Sequence, residues 1–305
     1  FYDALKTEDL LERLGSWSPI VRSRAAMALS RRGWAEVDVL VKMLESGTLE
    51  QRLGACDALA MLRANGAPAV PALRQALRAD DLWLRIRAAG ALAAIGGPAM
   101  EALPEMLTMM AAAPGPDDPR NMQQRFLCFE VFGTMLKKSL DGVDRDLLRT
   151  AVVAGLQNQD GRARSSIGSV YNQLSYEEIK PILPAIHQAI VKPAPSGIMF
   201  ASGIRTAGLE LLAKHRIREG MALAFDVMEL DAWGKNHRIM ACINVLEAYG
   251  PAAKEVLPQI RKLEQDLRGH KEAKMLSPHA EKVRAMIQRL ESSKESYELR
   301  SLSDA

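Results

Sequence analysis

Aromatic residues make up only 5% of this chain, and its three cysteines, Cys56, Cys128 and Cys242, lie far apart. Widely scattered thiols exclude a disulfide framework and a zinc-ligand spacing, and free cysteines of this kind are most often buried small apolar residues. No apolar run is long enough to span a membrane. Net charge is only +3, and residues 1–152 hold 19 basic and 19 acidic side chains against 21 and 18 in residues 153–305. Neither half is therefore a basic arm for a polyanion. His187, His215, His237, His270 and His279 show no His-x-x-x-His spacing, and there is no glycine-rich phosphate loop or nucleophile elbow. The sequence thus predicts no metal site and no cofactor. Alternating strand patterns are missing as well, while alanine and leucine dominate the apolar content, so the chain is expected to be all-α.

What is present is an arginine that returns in a repeating frame. Ile20-Val21-Arg22-Ser23-Arg24-Ala25-Ala26-Met27-Ala28-Leu29 and Leu84-Arg85-Ile86-Arg87-Ala88-Ala89-Gly90-Ala91-Leu92 are two copies. Others surround Arg52, Arg125, Arg205 and Arg238, with a looser one at Arg162 or Arg164. Taking Arg162, successive arginines are 30 to 43 residues apart. That period signals stacked repeats, because one helical pair cannot bury its apolar face alone.

Each repeat reads as two helices. Small residues at helical spacing (Ala25, Ala26 and Ala28; Ala88, Ala89 and Ala91) let the first helices approach closely. Ser18-Pro19 and Asp118-Pro119 pair an N-cap residue with the imino acid favoured at the first helical position, and Thr48 with Gln51 fits a capping box. Gly33, Gly66, Gly96-Gly97 and Gly250 follow the apolar runs, where a left-handed C-cap is expected. A Gly-to-Pro phrase opens the second helix at Gly66–Pro71, Gly97–Pro104 and Gly250–Pro258, and proline costs little there because those amides have no helical partner.

At these residues the chain resembles the HEAT-repeat family, in particular its short bacterial variety known from phycobilisome lyases. The resemblance covers roughly residues 17–265 and is closest for the repeats beginning near Ser18, Thr48, Asp81 and Asn236. It implies a right-handed α-α superhelix of about seven helical pairs plus a terminal capping helix. It also implies first helices on the convex side and second helices along the concave side. In that family the recurring arginine is an internal tie between layers, a role expected here of Arg22, Arg52, Arg85, Arg125, Arg162, Arg205 and Arg238, with Asp81, Asp118 or Asp160 upstream as partners.

The expected organisation is an N-terminal helix or half repeat over 1–16, the repeat solenoid over 17–268, a capping-helix region over 269–291 and a polar mobile tail over 292–305. Insertions interrupt the repeats near 111–121 and 192–203, and the second carries apolar Ile198, Met199 and Phe200 in a Gly/Pro setting. The capping helix is expected to begin at Ser277-Pro278, with Val283, Ile287 and Leu290 on one face. A chain that begins at Phe1 reads as a processed product or an excised domain, so a targeting segment or a catalytic domain could lie upstream. A soluble protein is expected, with the cytoplasm the favoured compartment.

These features predict a non-enzymatic protein-interaction or scaffold module, the repeat domain of a larger bacterial protein. Its partner would be a protein or a neighbouring domain of the same polypeptide. Contacts are expected along the second helices and the inserted loop, from Arg74, Arg78, Glu101, Glu105, Met109, Lys180, His187, Ile198, Met199 and Phe200. The alternative is a nucleic-acid-binding HEAT-like protein such as an alkylpurine DNA glycosylase, with Trp17, Trp34, Trp83 and Trp233 as aromatics and Asp231 as the carboxylate. The mixed charge of the second helices disfavours it, since a nucleic-acid groove should be uniformly basic.

Overall fold

Periodic apolar stretches closed by caps become helices throughout the computed structural model, which describes residues 1–34, 36–112, 118–197 and 200–304. In chain order follow α1 (Thr7–Leu14), α2 (Pro19–Arg31) with α3 (Val37–Ser46), α4 (Leu49–Leu62) with α5 (Val70–Ala76), α6 (Leu82–Ile95) with α7 (Leu103–Ala111), α8 (Arg120–Glu130) with α9 (Arg145–Leu156), then α10 (Gly161–Ile167), α11 (Tyr176–Ile179), α12 (Leu183–Val191), α13 (Ala201–Lys214) with α14 (Glu219–Met228), and α15 (Lys235–Ala248) with α16 (Leu257–Gly269). Helix α17 (Ala273–Ser292) follows. The described residues contain no strand, and an isolated parallel bridge joins Ile217 to Arg300.

The chain divides into two compact units, Phe1–Val170 and Tyr171–Ala305. The division falls where the repeat frame is weakest. There α10 is only seven residues long, a 3-10 segment covers Gly168–Gln173 and α11 has four residues.

In the first unit α2, α4, α6 and α8 pack in order against one another, and α3, α5, α7 and α9 cover their other side. The expected small residues explain the close approach. Ala25, Ala26, Ala55, Cys56, Ala88, Ala89 and Ala91 are all buried. At Gly54 an added Cβ would lie 2.0 Å from the Leu14 carbonyl oxygen, so α4 meets the end of α1 with no room for a side chain. Burial pushes the Cys128 and Cys242 thiols up to about 12 and Cys56 higher still, so all three are inert fillers of the core.

Several local expectations need correction. The helix stop at α4 is not Gly66: Arg63 takes a positive φ of 54° there, and Gly66 instead lies within the following 3-10 segment, packed on Ile95. Gly33, Gly96 and Gly250 do have positive φ. The Gly-to-Pro phrases form a 3-10 lead-in, with the last proline of each in the first turn of α5, α7 or α16. Thr48 and Gln51 form the capping box, whereas the Ser18 side chain caps nothing. Helix α17 starts at Ala273, before Ser277, because buried Leu276 already belongs to its inner face.

The segment after α17, expected to be mobile, is tied to the second unit. The Arg300 amide donates to the Arg216 carbonyl oxygen at 2.9 Å, and the Arg218 amide donates to the Arg300 carbonyl oxygen at 2.9 Å. Its polar composition carries no sign of this, since the ties are backbone hydrogen bonds.

Candidate interaction surfaces

The arginine frame becomes a set of ties from each first helix to the end of the second helix before it. Arg52 Nε donates to the Leu44 carbonyl oxygen near the end of α3 at 2.9 Å. Arg205 Nε donates to the Ile190 carbonyl oxygen at 2.9 Å, and Arg238 to the Met228, Glu229 and Trp233 carbonyl oxygens at 3.1 Å each. Arg22 reaches the Ser16 and Trp17 carbonyl oxygens, and Arg85 those of Ala79 and Asp80. The last carbonyls of a helix have no partner within it and carry the negative end of its dipole, so a guanidinium with several donors suits the position.

Two repeats depart from the frame. In α10 the buried arginine is Arg164, whose Nε donates to the Asn158 carbonyl oxygen at 2.7 Å, while Arg162 is exposed. In α8 Arg125 turns to Asp160, 3.1 Å away, and buried Gln124 donates to the Met110 carbonyl oxygen at 2.8 Å. Nothing in the repeat frame singled out Gln124.

Besides the inward-turned frame arginines, the first helices carry exposed apolar side chains alongside exposed Arg24, Arg31, Arg87 and Arg120. In the first unit the exposed large hydrophobic residues within helices are Ile20 and Met27 on α2, Leu49 and Met61 on α4, Trp83 on α6, and Met122 and Phe129 on α8. Among the described residues none lies on α1, α3, α5, α7 or α9. Trp83, 45% exposed, stacks edge-on to Phe126 at 6.1 Å, and Phe129 is 59% exposed one turn further on.

Two carboxylates on these helices went unrecognised in the sequence. Asp57, its side chain 11% exposed, sits 3.9 Å from Arg22 and 3.6 Å from Arg87. Burial raises its pKa while Arg87 and Arg22 oppose the rise. Glu130 is pushed up to about 7 by burial, against the pull of Arg87. Both follow a frame arginine by five residues, a register that a strict alignment of the repeats would expose.

The second-helix candidates present a different picture. Arg74 forms a two-pronged pair with Glu105 at 2.9 and 2.8 Å and lies 3.3 Å from Glu101, and Arg78 reaches Glu105 at 3.1 Å. The hydrogen bonds from Arg74 hold the Glu105 carboxyl below its usual range. These four side chains bind one another between α5 with the turn after it and α7 with its 3-10 lead-in. Met109 is half-buried nearby on α7, and in the second unit Lys180 and His187 are half-buried and Phe200 is exposed. Ile198 and Met199 lie outside the described residues.

Asp231 is exposed and paired with Lys271 at 2.8 Å and His270 at 3.3 Å, and these contacts lower its pKa. Trp233, two residues on, is 81% exposed. No metal-binding group of His, Cys, Asp or Glu occurs among the described residues, and no described helix is long and apolar enough to cross a membrane.

Helical pairs tied end to side by guanidiniums define an α-helical repeat protein. Residues 37–121, from α3 into the first turn of α8, match the HEAT repeats family, without distinguishing the short bacterial variety. No curated protein matches the chain. Among solved structures, the crystal structure of an engineered protein from the Northeast Structural Genomics Consortium is similar at 19% identity over 92% of this chain and 96% of that one. Its TM-score is 0.26, and the likeness carries no argument. HEAT repeats generally serve as protein-interaction scaffolds and are typically non-catalytic.

Proposed function

We propose that this chain is a non-enzymatic protein-binding module that docks its partner on the outward face of α2, α4, α6 and α8. The observation that carries this is the one-sided distribution of exposed Ile20, Met27, Trp83 and Phe129, all on first helices. Exposed apolar side chains gathered on one set of helices favour an interaction site, and aromatic and methionine side chains are enriched in the centres of such sites. The charged second-helix residues favoured by the sequence are occupied with one another, which lowers their value to a partner. Lys180, His187 and Phe200, in the second unit, are separate candidate contacts.

The test is a quantitative pull-down with mass spectrometry on the parent chain, on Trp83→Ser/Phe129→Ser and on Arg74→Ala/Glu105→Ala. The first pair should lose specific prey that the second pair retains, with unchanged helicity in both. Equal prey recovery from all three chains would contradict the proposal.

A further inference from the structure

The turn from α13 to α14 presents a short open backbone edge. Arg216 takes the left-handed conformation there, φ 55°, and its carbonyl oxygen and the Arg218 amide pair with a segment from outside the helices. An unpaired main-chain edge of this kind is a template for strand addition, in which backbone bonds give affinity and flanking pockets give selectivity. Residues 297–303 fill it. The Arg300 guanidinium lies 4.2 Å from the centre of the Tyr176 ring and donates to the His215 carbonyl oxygen at 3.0 Å. Ser301 Oγ donates to Glu219 at 2.6 Å, and the Leu302 amide donates to the same carboxylate at 3.1 Å. Tyr297 packs beneath Arg216, 4.3 Å from its guanidinium, and against Gly250.

The occupant is held by polar and cation–π contacts with partial burial: Tyr297, Glu298 and Arg300 remain exposed, and Leu299, Ser301 and Leu302 are half-buried. The receiving side is firm, since Ile217 is fully buried and its carbonyl oxygen accepts from the Tyr249 hydroxyl at 2.5 Å. A firm edge covered by a lightly buried segment describes a site whose occupant exchanges at low cost.

We propose that Tyr176, the His215–Glu219 turn and Gly250 form a recognition site for extended peptides carrying an arginine followed by a serine, and that residues 297–303 occupy it as a displaceable internal ligand. The tyrosine ring and the His215 carbonyl read the arginine, Glu219 reads the serine hydroxyl and the next amide, and the Arg216 and Arg218 backbone groups fix the register. This site is separate from the first-helix face and does not depend on it.

The probe is a fluorescein-labelled synthetic peptide spanning Glu295–Asp304, followed by anisotropy. The full chain carrying Tyr297→Ala/Arg300→Ala, which releases the internal ligand, should bind it at least ten-fold more tightly than the parent chain. Adding Glu219→Ala should reverse that gain, and a peptide with Arg300→Ala should not bind. Equal affinity of parent and variant, no binding by the variant, or unchanged binding of the altered peptide would each overturn the proposal. If the double variant loses helical circular dichroism, the parent chain supplies the test. Exchange of the Arg300 amide should accelerate at least ten-fold with excess free peptide but not with the altered one, and an unaltered rate overturns the proposal.

Discussion

The Arg238 guanidinium reaches the Met228 carbonyl oxygen at 3.1 Å, so α15 closes the end of α14 with a side chain from the next helical pair. The same group also satisfies the Glu229 and Trp233 carbonyl oxygens and is almost wholly buried. Arg238→Met keeps the packing volume and strands those acceptors. It should lower the unfolding free energy by about 3 kcal/mol, the scale for removing one side of a buried charged hydrogen-bond network. Arg238→Lys should recover little, because one ammonium cannot reach all three oxygens. Urea denaturation checks both. By contrast, Arg78→Ala, at a side chain 75% exposed, should change stability by less than about 0.5 kcal/mol.

Two glycines in first helices should respond in opposite directions. Gly54→Ala drives a methyl group into the Leu14 backbone, 2.0 Å away, and should cost about 3 kcal/mol through displacement of α1. At Gly90 the nearest atom to an added Cβ is Glu130 Oε1 at 3.5 Å, an ordinary contact. Gly90→Ala should therefore be stabilising by roughly 0.5–1 kcal/mol from helix propensity alone. Thermal melting of the two variants beside the parent distinguishes them.

Glu130 gives stability a pH dependence of known sign. Burial lifts its folded pKa from 4.5 to about 7, so between those values the folded chain holds a proton that the unfolded chain has released. Stability contributed by this group is then lost as pH rises through that window. Glu130→Gln should be stabilising by about 2–3 kcal/mol at pH 8 and nearly neutral at pH 4. Denaturation midpoints at the two pH values measure the difference.

The helical pairs were legible in the sequence because small residues, caps and glycine stops recur in a fixed frame that has one physical cause, the need to stack. The ties at Arg22, Arg52, Arg85, Arg205 and Arg238 follow from the same frame. Arg164 was not separable from Arg162, since two residues along a helix turn the side chain to the opposite side and the flanking pattern in that repeat is degraded. Gln124 escaped because a neutral amide replaced a guanidinium one position away. The ion pairing of the second-helix candidates was hidden for a related reason. Arg74 and Glu105 look available in sequence, but their pairing spans 31 residues and two helices, which no local pattern encodes. The exposure of Met27, Trp83 and Phe129 was not legible either, because helical spacing does not say which of two apolar sides is covered.

The most direct measurement is photocrosslinking in the source cell with benzoylphenylalanine placed at position 129 on α8 or at position 109 on α7. The account predicts a discrete partner adduct from position 129 and none from position 109. An adduct from position 109 alone would contradict it, placing the contact on the second helices and leaving the exposed apolar side of the first helices without a partner.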